Sequence, residues 1–86
     1  MSTITTTGTN NDPVSTTRNP GESTSDWLAR HKRAIGDAGV TGKSSLTSKW
    51  GDDCEDTSER ANGATDAQFV NAHISDVANA FHDCPP

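Results

Sequence analysis

Ser23-Thr-Ser-Asp-Trp-Leu-Ala-Arg-His31 and Thr65-Asp-Ala-Gln-Phe-Val-Asn-Ala-His73 are the two stretches whose comparison decides the fold. Laid over one another at an offset of 42 positions without a gap, Trp27 meets Phe69, Leu28 meets Val70 and His31 meets His73. Beyond them Ile35 meets Val77 and Ala38 meets Ala80. In the same register Ile4-Thr5-Thr6 meets Leu46-Thr47-Ser48, Asn10-Asn11 meets Asp52-Asp53, Arg18 meets Arg60 and Gly21 meets Gly63. Cap, turn and apolar positions agree together, which is what a repeated structural unit requires.

Each unit reads as two extended segments and a helix. Thr-rich β-favouring stretches at 3–9 and 44–50 lead into the polar turns Asn10-Asn11-Asp12-Pro13 and Gly51-Asp52-Asp53, then into second extended stretches at 14–18 and 54–60. Asn19-Pro20-Gly21 and Ala61-Asn62-Gly63 punctuate the chain before the N-caps Ser23 and Thr65, and Gln68 completes a capping box with Thr65. Helices are expected over 24–38, closed by Gly39, and over 66–82, closed by Pro85. Trp27, Leu28, His31, Ile35 and Ala38 make one apolar stripe; Phe69, Val70, His73, Ile74, Val77 and Phe81 make the other. The expected fold is α+β, a tandem ββα repeat with units of about 1–42 and 43–86 in a single small domain. Its two helices would pack on one face of a four-stranded antiparallel sheet. The first hairpin is poor in apolar residues, so residues 1–12 are its candidates for disorder.

Composition narrows the function. The chain has 86 residues, of which 29% are hydrophobic, with twelve Thr and nine Ser and a mean hydropathy of −0.77. That excludes a large enzyme core and a transmembrane helix, which needs about 20 apolar residues in a row. Met1 is followed by neither a basic nor an apolar leader region, which favours the cytoplasm, or secretion if a leader has been removed. Net charge is −5, with pI near 4.8, so neither nucleic acid nor a membrane is an expected partner. The charge is divided: Arg30-His31-Lys32-Arg33 makes the first helix basic, while Asp52, Asp53, Glu55, Asp56 and Glu59 make the second hairpin acidic. Complementary faces of this kind favour contact either between the two repeat units or between two copies.

The motifs that carry chemistry are sparse. Gly36-Asp-Ala-Gly-Val-Thr-Gly-Lys-Ser-Ser-Leu46 resembles a phosphate loop, but the first Gly of G-x-x-x-x-G-K-[ST] is replaced by Asp37 and the segment follows a helix. It reads as a connection. His31, His73, His82, Cys54 and Cys84 complete the soft-ligand set, without the paired spacing of a zinc site. His31 and His73, equivalent in the repeat, read as core-edge histidines bonded to a carbonyl or a hydroxyl, and as a pH-sensitive pair. Cys54 and Cys84 are either a disulfide worth about 3–4 kcal/mol or two free thiols. No cofactor, metal or catalytic constellation is implied. The expected function is a non-catalytic protein-interaction module, a homodimer, with Trp50, Arg30 and Arg33 as candidate partner-binding residues. The alternative is a small metal- or redox-responsive regulator using the Cys and His set.

Overall fold

The computed structural model describes residues 2–8, 13–40 and 42–86. Its elements run β1 (Thr3–Gly8), β2 (Val14–Thr17), α1 (Thr24–Ala38), β3 (Ser45–Gly51), β4 (Cys54–Glu59) and α2 (Asp66–Ala80). The four strands form one antiparallel sheet in the order β2-β1-β3-β4, so the architecture is α+β. Among the described residues no helix is long and apolar enough to cross a membrane.

Strand alternation explains which side chains turn inward. Ile4 and Thr6 of β1, Thr16 of β2, Leu46, Ser48 and Trp50 of β3, and Ser58 of β4 are buried, at the two-residue period of a β-strand. The opposite side is hydroxyl-rich, and directly opposed residues bond one another: Thr3 to Thr17 at 2.9 Å, Thr5 to Ser15 at 2.8 Å and Thr47 to Thr57 at 2.8 Å. β1 lies between β2 and β3. Thr3–Gly8 is thus an interior strand, with Ile4 and Thr6 buried. The first hairpin turn at 9–12 lies outside the described residues.

Both helices start where their caps dictate. Ser23 accepts from the Asp26 amide, and Thr65 and Gln68 form the reciprocal capping box. Gly39 ends α1 with φ +86°, a conformation that favours glycine, and donates to Gly36. Ala38 is exposed, and Val40, beyond the turn, fills the core in its place. α2 ends at Ala80 rather than 82. Bonds from His82 to Asn79 and from Asp83 to Ala80 tighten the chain into a turn that brings Cys84 to Cys54. The disulfide joins β4 to the chain end, with Cα atoms 5.9 Å apart.

The same bonds recur at two corners. Arg18 donates its amide to Ser2 and its Nε to the Glu22 carbonyl, and its guanidinium lies 6.0 Å from the Trp27 ring centroid. Arg60 donates its amide to Ser44 and its Nη1 to the Ala64 carbonyl, and lies 4.6 Å from the Phe69 centroid. Arg60 does more: it also reaches the carbonyls of Lys43 and Val40 and the carboxylate of Asp66. One guanidinium thus ties the α1–β3 connection to the start of α2. Arg60→Met retains the aliphatic packing but leaves these carbonyls without the donor. It is expected to lower stability by about 2–3 kcal/mol, measured by urea unfolding.

The core has two parts. Ile4, Trp27, Leu28, Trp50, Val77 and Phe81 form one cluster; Ile35, Val40, Leu46, Phe69 and Val70 form the other. In β3, α1 and α2 the residue between the two clusters is polar: Ser48, His31 and His73.

Candidate interaction surface and buried histidine pair

His31 and His73 have no exposed surface, and every ring nitrogen meets a sheet hydroxyl. His31 places Nδ1 2.8 Å from Thr16 Oγ1 and Nε2 2.6 Å from Thr6 Oγ1. His73 places Nδ1 2.8 Å from Ser58 Oγ and Nε2 2.6 Å from Ser48 Oγ. The β1–β3 register sets Thr6 opposite Ser48, and their hydroxyls are 2.6 Å apart. Ser58 donates onward to Asp76 Oδ2 at 2.8 Å. An unbroken polar chain thus crosses the core from β2 to α2.

Burial holds both rings neutral. Loss of hydration pushes His31 down to about 4, with repulsion from His73 acting in the same direction. His73 is likewise pushed to about 4 by burial, against the attraction of Asp76. With both nitrogens of each ring taken by hydroxyls, the pair is a structural bridge between helices and sheet. Among the described residues no group of three His, Cys, Asp or Glu side chains is placed to hold a metal ion.

The surface candidates divide three ways. Trp50, a candidate partner-binding residue, is buried at 8% exposure, with its Nε1 donating to the Cys84 carbonyl and its ring edge-on to Phe81. It shares the face of Leu46 and Ser48 because it follows them at even spacing. Arg30 is turned back onto its own chain: Nε and Nη2 bond the Glu22 carboxylate at 2.7 Å each, and Nη2 also bonds the Thr17 carbonyl. The Arg30 guanidinium holds the Glu22 carboxyl down at about 2, helped by the Asn19 amide. Arg33 is exposed, as is Lys32 beside it.

Lys32 and Arg33 stand over a trough between α1 and α2. It consists of two depressions of about 710 and 670 Å³ that share Ala29, Lys32 and Asn71. Small side chains open it: Gly36 and Ala67 line one part, Ser25, Ser75 and Ala78 the other. Apolar Val70 and Ile74 contribute to its wall. The acidic groups Asp52, Asp53 and Glu55 are exposed at the far end of the β3–β4 hairpin. Sequence reasoning identified the basic helix and the acidic hairpin but not the trough, which arises from small residues on two helices whose spatial pairing no local pattern encodes.

Comparison with protein-family models, with curated proteins and with solved structures finds no match.

Proposed function

We propose that this protein is a self-associating interaction module, a duplicated ββα unit whose two helices lie over one face of the sheet and form the docking trough. Duplication is supported by the corner bonds and the histidine contacts, each of which recurs 42 residues along the chain. A single helical face is supported by the direct bond between Thr6 and Ser48, each of which also bonds a histidine from a different helix.

The occupant of the trough is the acidic hairpin end of a second copy. The observation that carries this reading is the placement of charge: Lys32 and Arg33 border the trough, while Asp52 and Asp53 are exposed at a narrow turn. Other surfaces are less suited. Edge strand β4 carries Glu55, Asp56 and Glu59, charges that oppose strand addition, and edge β2 has four residues. Hydroxyls on the open sheet face bond one another. A symmetric pair would use trough and hairpin from each copy, giving two equivalent contacts. A disulfide-closed fold of this size suits an oxidising compartment.

Sedimentation equilibrium at tens of micromolar tests the reading. At low ionic strength a dimer is expected, and its dissociation constant should rise at least tenfold on going to about 0.5 M salt, where charge is screened over a few ångströms. A strict monomer at low salt would reject it.

A further inference from the structure

The hydroxyl–imidazole chain contains more information than its distances. Two hydroxyls lie between the two Nε2 atoms, which makes three contacts of 2.6 Å: His31 to Thr6, Thr6 to Ser48, and Ser48 to His73. Each contact requires one proton, and a hydroxyl has one to give. Thr6 and Ser48 therefore supply two, and the third must come from a ring. If both Nε2 atoms carried protons, four would crowd into three contacts; if neither did, one contact would set lone pair against lone pair. One ring is the Nε2–H tautomer, and the other is not.

Asp76 determines which. Its carboxylate can only accept, so the proton of Ser58 is committed to it at 2.8 Å. Ser58 must then accept from His73, which carries its proton on Nδ1 and leaves Nε2 bare. Ser48 donates to that Nε2, Thr6 donates to Ser48, His31 Nε2–H donates to Thr6, and Thr16 donates to the bare Nδ1 of His31. All six bonds run in one direction. At the position 42 residues before Asp76 stands Ala34, so the first half has no carboxylate to impose the opposite direction.

We propose that His31 and His73 are neutral rings of opposite tautomer, oriented by Asp76 into a one-way relay that fastens both helices to the sheet and is released by acid. Protonating His73 places a hydrogen on its Nε2, the fourth in a centre with three contacts. Thr6, Ser48 and both rings are almost wholly shielded from water, so the displaced proton finds no acceptor there. The titratable groups facing the pair are Asp76 on α2, Asp56 from β4 and each histidine for the other. From β1, β2 and β3 the buried inward residues are Ile4, Thr6, Thr16, Leu46, Ser48 and Trp50, none of which titrates in this range.

Nitrogen-15 NMR of the full chain, at neutral pH and without substitution, reads the tautomers directly. His31 is expected to show a protonated Nε2 and a bare Nδ1, and His73 the reverse. The same tautomer on both rings, or the opposite assignment, would overturn the proposal. Asp76→Ala, an exposed position, removes the orienting acceptor, and each ring should then show both tautomers; unchanged single tautomers would contradict the role of Asp76. On acidification the folded spectrum should be lost as the rings take up their second proton. A folded spectrum retained with both rings doubly protonated would refute the release.

Discussion

Acidification from pH 7 to pH 4 is expected to unfold this protein. His31 and His73 are held near 4 in the folded state, chiefly by loss of hydration, whereas an unfolded histidine titrates at 6.5. Between those values the unfolded chain binds more protons than the folded one, so stability is complete above about pH 6.5 and falls as pH drops through 4. At ~1.4 kcal/mol for each unit of difference, the loss is about 3 kcal/mol for each ring and about 6 kcal/mol for the pair. That is comparable to the whole stability of a small domain, about 5–15 kcal/mol. Asp56, whose carboxyl is pushed up by burial and by Asp76, acts in the opposite direction at the acid end and offsets part of the loss. Urea unfolding followed by circular dichroism at stepped pH measures it: the midpoint should fall steeply below pH 6. A midpoint that stays constant to pH 4.5 would show that the rings are not held neutral by the fold.

Trp27→Ala is the substitution expected to do most damage. The ring is wholly buried, stacks on Phe81 with centroids 5.9 Å apart, and donates Nε1 to the carbonyl of Thr16. Thr16 also contacts His31 through its hydroxyl, so the indole braces one end of the polar chain. Truncation of a buried Trp costs about 3–5 kcal/mol through lost burial and the cavity it leaves. The melting temperature should fall by roughly 15–30 °C, at about 4–8 °C per kcal/mol for a chain of this size. Trp27→Phe retains most of the apolar surface and should cost less than half as much. A loss below 1 kcal/mol for Trp27→Ala would mean that the core does not depend on this ring.

The parts of the fold legible in the sequence were those encoded locally. Ser23, Thr65 with Gln68, and Gly39 mark helix ends by hydrogen bonding to nearby backbone, and the structure places them at those ends. Trp50 shows how far local alternation reaches: Leu46, Ser48 and Trp50 alternate, and alternation alone assigns all three to one face. The adjacency of β1 and β3 was not legible, because β1 carries a single large apolar residue, Ile4, and so no apolar pattern that selects a neighbour. Arg30 could not be placed from sequence either, since its partner Glu22 precedes the helix and is reached around a corner. The chain from Thr16 to Asp76 combines residues from all six elements. Of its members only His31 and His73 were legible, as core-edge histidines bonded to a carbonyl or hydroxyl, and the connection exists only once the sheet order is known.

Self-association through trough and hairpin is tested most directly by reversing charge on each side separately. One variant carries Lys32→Glu and Arg33→Glu, a second carries Asp52→Lys and Asp53→Lys; all four positions are exposed, so both variants should fold. Each alone would face like charge at both contacts and should remain monomeric at low ionic strength. An equimolar mixture restores opposite charge at both contacts of a mixed pair: one joins the unaltered trough of one variant to the unaltered hairpin of the other, and the second joins the two altered sides with their charges exchanged. Analytical ultracentrifugation should therefore show monomers for each variant alone and a mixed dimer when they are combined. Monomers throughout, from a parent chain that dimerises, or dimers of either variant alone, would contradict the account.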